Sequence, residues 1–382
     1  MTQPIRIGSR GSQLALWQAN HIAGQLRALG HEVAIEIIRT TGDRMQEPSP
    51  TSSGAPGASH SGTRESVTPD PGSPFIRDEP ALSEAGRPSR TGQSADEWGG
   101  ITSEPTLSKG IFIKEIEEAL AAGEIDLAVH SLKDLPTQLD PRFTLAAIPQ
   151  RADPRDAFVC EQFWALHALP IGARIGTTSP RRRAQILALR PDIAFVELRG
   201  NVDTRLRKLA EGQCDALVLA AAGLDRLSRA EWVHQRFDVD ELCPAPGQGA
   251  LALETRAATY AVFSSPERDN AIRAAVAQLD HPATRFSVDA EREVLAALGG
   301  GCSVPIGVHC APVPDTHGEM ADGAVAMWRI HAQVLAPDGE QMVCGFMEPP
   351  VGISACELGL SLAEDLKLHG AEDLLRAFAT EP

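Results

Sequence analysis

The chain has 382 residues, 43% of them hydrophobic, with 35 Lys plus Arg against 51 Asp plus Glu and a net charge of −16. That length supports two or three domains with cores of their own, and the acidic balance argues against a general nucleic-acid-binding surface. No apolar run approaches the ~18 residues needed to span a bilayer, and the start "MTQPIRIGSRG" has no apolar signal core, so a soluble cytoplasmic protein is expected.

In chain order, "IRIG" (5–8) reads as a strand that leads through "SRGS" into a helix from about Gln13 to Leu29. Its apolar positions are Leu14, Leu16, Trp17, Ile22 and Leu26, and Gly30 is the stop. "VAIEII" (33–38) is the next strand. The stretch from about Gln46 to Pro105 is rich in Ser, Pro, Gly and Thr with few large apolar residues, a composition that cannot offset its ordering entropy. It reads as a disordered insertion and predicts a mobile flap. "FIKEIEEALAAG" (112–123) is a helix, and "DLAVH" (126–130) and "FTLAAIP" (143–149) are strands. The alternation predicts a mainly parallel α/β sheet.

The pattern then restarts, with strands over 173–177, 193–198 and 215–220 and helices from Pro180 and about Val202. "RIGSRGS" (6–12) and "RIGTTSP" (174–180) occupy the same strand-to-helix junction, which suggests two similar lobes facing a cleft. From about Ala271 the order changes to two helices, a glycine-rich loop, strands near 304–311, 325–335 and 340–346, and a closing helix, a small α+β unit.

Positive charge is concentrated between Arg174 and Lys208, where nine basic residues stand against three acids. In "TTSPRRR", Ser179 is the N-cap and Pro180 the first helical residue, so free backbone N–H groups and guanidinium groups gather at one helix start. "RGNVDTRLRK" repeats this with Arg199 and Arg205, and Arg10 with Ser12 does so in the first lobe. Any one of these arginines could be a solvated helix face. Three clusters at strand ends, where open α/β sheets bind ligands, favour a ligand with several carboxylates or phosphates. No phosphate-loop or dinucleotide glycine motif points to a nucleotide.

"AVHSLKDLP" (128–136) delivers Lys133 and Asp134 into a loop after a strand. Such a pair is commonly a surface ion pair; beside an arginine-rich cleft, its carboxylate would stay ionised and could stabilise a developing cation. His130 reads as structural, since no second metal ligand stands at a matching spacing. The seven cysteines are an odd set without a Cys-x-x-Cys pair, which argues for reduced thiols and against structural zinc. Among them Cys302 follows three glycines in "LGGGCSVPIG", and by spacing alone it is either an accessible reactive thiol or an ordinary loop cysteine. No His and Asn partner of a thiol hydrolase is evident.

"IGSRGSQLALWQA", "SKGIFIKEIEEAL", "DLAVHSLKDLP", "DPRDAFV", "IGTTSPRRRAQ", "LRGNVDTRLRKL", "LAAAGLDRL", "PAPGQGALALE" and "GGGCSVPIG" follow one another in this order. Together they resemble the porphobilinogen deaminase (hydroxymethylbilane synthase) family over almost the whole chain outside the insertion. The resemblance implies two periplasmic-binding-protein-like α/β lobes around a cleft plus a small α+β C-terminal domain. It divides the chain into 1–149 with 250–267, 155–243 and 271–382. It further implies a cytoplasmic, monomeric transferase that polymerises porphobilinogen into hydroxymethylbilane with loss of ammonia, without metal, membrane or nucleic acid.

By the same resemblance, Cys302 carries a dipyrromethane cofactor through a thioether. Asp134 is the catalytic carboxylate, with Arg10 and Lys109 also in the reaction. Lys133, Asp134, Ser179, Arg181, Arg182 and Arg205 hold the cofactor. Arg10, Ser12, Arg199, Arg226 and Gln248 serve the substrate and the growing chain. Two departures precede the helix at 112–123: "LSKGIF" keeps Lys109, Gly110 and Phe112 but lacks the family's glycine pair, and the flap is long. Arg183 is an extra base without a family role. The competing reading is a non-catalytic polycarboxylate-binding protein on the same two lobes.

Overall fold

Alternating apolar residues and a polar strand end give the first lobe its centre. In the computed structural model, which describes residues 3–41, 113–260, 265–300, 304–313, 327–349 and 352–380, β1 (Ile5–Ser9) buries Ile5 and Ile7. The insertion at 46–105, Lys109 and Cys302 lie outside the described residues. Helix α1 (Gln13–Ala28) starts at Ser12, whose Oγ accepts from the Ala15 N–H, and ends before Gly30, whose φ of 87° is the left-handed turn expected of a stop. It buries Ala19, Ile22, Ala23 and Leu26, a stripe at helical spacing. Trp17, read from sequence as part of that stripe, is 37% exposed, because the core-facing stripe falls on small residues instead.

β2 (Val33–Ile37), β3 (Leu127–Ser131), β4 (Phe143–Ala147) and β10 (Leu251–Arg256) complete a sheet ordered β2-β1-β3-β10-β4. Helix α2 (Lys114–Ala121) packs Ile116 and Leu120 against its other face, with Ala128 and Phe143. The second sheet repeats the order as β7-β6-β8-β5-β9, from β5 (Asp156–Cys160), β6 (Arg174–Gly176), β7 (Ala194–Val196), β8 (Ala216–Ala220) and β9 (Val233–Arg236). Helices α3 (Pro180–Leu189), α4 (Val202–Ala210) and the short α5 (Ala221–Arg226) follow β6, β7 and β8.

The sheets are more mixed than the alternation predicts. β10 runs antiparallel to β3 and β4, and β5 antiparallel to β8 and β9, so each sheet carries one reversed strand. These are the strands by which the chain enters the second lobe and returns to the first. In the first lobe β1 lies between β2 and β3, and in the second β6 lies between β7 and β8. The strand order therefore reverses beside β1 and β6, and ligands bind outside the carboxyl ends of strands at such a point.

The two crossovers run against each other. The Ala152 N–H donates to Gly249 O at 3.2 Å, and Arg151 Nε donates to Gln248 O at 2.7 Å. Helix α6 (Pro266–Ala277) shares the first lobe's core through Ile272, Ala275 and Val276. Helix α7 (Pro282–Ala297) instead packs on the antiparallel sheet of β11 (Ile306–Val313), β12 (Met327–Leu335) and β13 (Met342–Met347), ordered β11-β12-β13. Two closing helices, α8 (Ala355–Leu368) and α9 (Ala371–Thr380), stand where one is expected, divided at Gly370. No helix among the described residues is long and apolar enough to cross a membrane.

Candidate active site

A cleft of about 740 Å³ lies between the lobes, at the carboxyl ends of β1, β3, β6, β7 and β8. Three helices begin there, and their N-caps follow from residue type. Ser12 starts α1, Ser179 Oγ accepts from the Arg182 N–H at the start of α3, and Asn201 Oδ1 accepts from the Thr204 N–H at 2.9 Å at the start of α4. Their free N–H groups and dipoles favour anions.

From the first lobe, the turn after β3 (Leu132–Asp134) places Lys133 and an exposed Asp134 on the cleft wall, facing Arg10 and Ser12. From the second come Arg182, Arg199 and Arg205. Lys133 Nζ donates to Gln248 Oε1 at 3.1 Å. Enclosure of the ammonium, with Arg182 nearby, pulls its pKa down to about 8, against the attraction of Asp134. Arg205 donates from Nε to Gly200 O at 2.9 Å and is lowered to about 10 by burial and by Arg182, again against Asp134. On the cleft lining, the charge of Asp134 thus reaches basic groups of both lobes.

Behind the wall lies a carboxylate that has no signal in the sequence. Asp156, fully buried at the start of β5, accepts from Arg181 Nη2 at 2.7 Å, Arg182 Nη2 at 2.7 Å and Gln248 Nε2 at 2.9 Å. Burial alone would raise its carboxyl, but the two guanidinium groups overcome this and hold it well below the usual range. Arg181 also donates to Cys243 O at 2.6 Å and does not reach the cleft lining, so its place is behind Arg182. Ser179 serves as a cap, with Thr178 beside it on the lining. Gln248 is fully buried and joins Lys133 to Asp156.

Not every expected residue converges on the cleft. Arg226 donates to Gly249 O at 2.7 Å, lies over the Trp17 ring at 5.7 Å, and lines a separate cavity of about 390 Å³ with His21 and Arg151. The nine-base run also divides. Arg174 pairs with Asp215 at 2.9 Å and Arg190 with Asp192 at 2.6 Å, while Arg183 lies over Phe195. Arg199 is exposed, 3.5 Å from Glu197. Asn201 and Gln18, whose Nε2 donates to Ser131 Oγ at 3.0 Å, line the cleft and were not singled out from sequence. Asn201 carried a signal, as a capping residue before a helix; Gln18 sits mid-helix and carried none. No cluster of His, Cys, Asp and Glu able to hold a metal occurs among the described residues.

The comparison with known sequences decides between the two functional readings. Residues 5–58 and 93–263 match the family model described as "Porphobilinogen deaminase, dipyromethane cofactor binding domain", and 286–368 match the porphobilinogen deaminase C-terminal domain. The chain belongs to the porphobilinogen deaminase family. The porphobilinogen deaminase of Roseiflexus castenholzii is 39% identical over 380 residues, covering 98% of this chain and 99% of its own. That of Acidothermus cellulolyticus is 40% identical over 375 residues, covering 98% and 91%, and that of Nitratidesulfovibrio vulgaris 38% over 372, covering 97% and 95%. Among solved structures, a methionine-binding lipoprotein of Bacillus subtilis matches with a TM-score of 0.36 at 9% identity, covering 72% of this chain and 89% of its own.

As a porphobilinogen deaminase, the protein is an enzyme of tetrapyrrole biosynthesis that uses a dipyrromethane cofactor. The donor set suits that group. A molecule bearing acetates, propionates and pyrrole N–H groups needs several cations and at least one acceptor in the same cleft. Lys133, Arg182 and Arg205 supply the cations, and Asp134 the acceptor.

Proposed function

We propose that the cleft between the lobes is where this deaminase condenses porphobilinogen, with Asp134 as its catalytic carboxylate. The observation that carries this reading is the meeting of Lys133 and Asp134 from one lobe with Arg182 and Arg205 from the other on one cleft wall. Lys133, Arg182 and Arg205, backed by Arg181 and the Ser179 cap, hold the carboxylates of dipyrromethane, and Cys302 anchors it. When bound, dipyrromethane supplies the first pyrrole carbon that accepts a new unit.

Arg10, Ser12 and Arg199 take the two carboxylates of incoming porphobilinogen, and Arg10 and Lys109 also take part in the reaction. Arg226 and Gln248 serve the substrate from behind, Gln248 by holding Lys133. Asp134 accepts from pyrrole N–H groups. It thereby stabilises the positive charge that develops as ammonia leaves, an electrostatic role that is strongest where the charges are fixed in advance. Excess cationic charge in the cleft balances the carboxylates that each added unit brings.

The enzyme works as a single chain in the cytoplasm. Six cysteines, 160, 214, 243, 310, 344 and 356, are free, which supports a reducing compartment. Intact mass of the purified protein tests the reading. An adduct of dipyrromethane mass is expected in the wild type and absent in Cys302→Ala, and Asp134→Ala should keep the adduct while losing about 10²–10³ in kcat. Full turnover in either variant contradicts the assigned roles.

A further inference from the structure

Beside the cleft, three ionisable side chains meet that the carboxylate-holding set does not use. His130, near the end of β3, is 7% exposed and contributes to the cleft lining. Its Nε2 lies 3.2 Å from Glu254 Oε2 on β10, and Glu254 is fully buried. The other carboxylate oxygen, Oε1, has no hydrogen-bond partner. Glu117 of α2 is next: its burial and the charge of Glu254 raise its carboxyl to about 6, with His130 opposing. Asp140 and Arg142, paired with each other at 2.7 Å on the outer side, also act on Glu117. The cluster is thus a His130–Glu254 pair at the cleft lining, with Glu117 of α2 sensing its charge.

A purely structural pair would satisfy both oxygens of a buried carboxylate, since an orphaned one costs about 1–3 kcal/mol. No Lys or Arg neutralises Glu254 among the described residues. The neighbouring Arg256 is spent on Asp269 at 2.6 Å and on Asp126. An imidazole 3.2 Å from a buried carboxylate, with Glu117 sensing the charge of both, forms one electrostatically linked cluster. Such a cluster at a cleft is suited to taking up and passing on a proton.

The reaction of the cleft releases one. In each condensation the C–N bond of the aminomethyl group breaks and ammonia leaves with the bonding pair. The carbon left behind bonds to the free α-carbon of an acceptor pyrrole. The C–H bond at that α-carbon then breaks, its electron pair restores the aromatic ring, and a proton departs.

We propose that His130 accepts the proton released from the α-carbon, and that Glu254, 3.2 Å from its ring nitrogen, takes the proton on. His130 is then a catalytic residue, and Glu254 acts through it. The inference rests on the deaminase reading of the cleft.

The test uses the full-length, cofactor-loaded enzyme and porphobilinogen carrying deuterium at its free α-carbon. In His130→Gln, kcat should fall by about 10²-fold with KM unchanged, as loss of a general base predicts. A deuterium isotope effect on kcat should appear, or grow beyond that of the wild type, because C–H cleavage becomes limiting. Glu254→Gln, which keeps shape and a hydrogen bond to His130, should behave similarly. Wild-type kcat in both His130→Gln and Glu254→Gln, or a lowered kcat with no isotope effect, overturns the proposal. If His130→Gln does not fold, Glu254→Gln decides alone. A wild-type enzyme that releases no ammonia from porphobilinogen overturns the deaminase reading itself, and this proposal with it.

Discussion

Lys133 and Gln248 lie 115 positions apart, and the ammonium of one donates to the amide oxygen of the other at 3.1 Å. The same amide donates from Nε2 to Pro154 O at 2.7 Å and to Asp156 Oδ1 at 2.9 Å. One buried glutamine on the return crossover thus ties the first lobe's cation to the second lobe's carboxylate.

Gln248→Ala should therefore act on both stability and binding. It strips the Pro154 carbonyl of its donor and Lys133 of its acceptor, and an unsatisfied buried group costs about 1–3 kcal/mol. In urea, the unfolding midpoint should drop with an unchanged slope, and KM for porphobilinogen should rise. An unchanged midpoint would show that the amide is not the link it appears from its three hydrogen bonds.

Asp156→Asn removes the charge that Arg181 and Arg182 share inside the second lobe. Breaking a buried ion pair by deleting one partner costs about 3–5 kcal/mol, and the amide should lose much of that although it keeps the shape. The acid limb of the stability curve gives the sign. The Asp156 carboxyl is depressed in the folded state, so its contribution is complete above the unfolded value of about 3.9 and is lost as pH falls below it. Wild type should accordingly lose stability more steeply than Asp156→Asn below pH ~4, as followed by denaturant midpoints across pH.

Lys133 shifts in the same direction, but its window lies at alkaline pH. With a folded pKa of about 8 against an unfolded value near 10.4, the folded protein sheds this proton first as pH rises. Stability should thus increase between those two values, while the cleft loses a cation and its hold on carboxylates weakens. A rise in KM above pH 8, absent in Lys133→Gln, is the expected signature. Parallel pH profiles in the two proteins would mean that Lys133 does not bind the substrate's carboxylates.

Much of this arrangement was legible in the sequence. Strand–turn–helix junctions at 6–12 and 174–180 read as equivalent, and the strand order of the two sheets shows that they are. Caps such as Ser12 and Ser179 were visible because capping is local chemistry. What stayed hidden depends on long-range pairing. Asp156 meets Arg181 and Arg182 only because β5 is inserted, reversed, beside β8, and Glu254 meets His130 only because β10 returns beside β3. The run from Arg174 to Lys208 overstated the site for a related reason. Local acids such as Asp192 and Asp215 hold Arg190 and Arg174 away from the cleft.

The crossover itself should be the most sensitive backbone position near the site. Gly249 has φ of 87°, and a Cβ there would stand 2.6 Å from Ala152 O on the opposing crossover. Gly30, at the end of α1, has the same φ but open space around it. Gly30→Ala therefore measures only the left-handed backbone penalty, about 1 kcal/mol. Gly249→Ala carries that penalty and must also push the two crossovers apart, which disturbs the Arg151 bond to Gln248 O and the Arg226 bond to Gly249 O. Its loss of stability should exceed that of Gly30→Ala by about 1–3 kcal/mol, and it alone should raise KM for porphobilinogen. Equal unfolding midpoints for the two variants would show that the crossovers can separate at no cost, and that the lobes are not held in register through this contact.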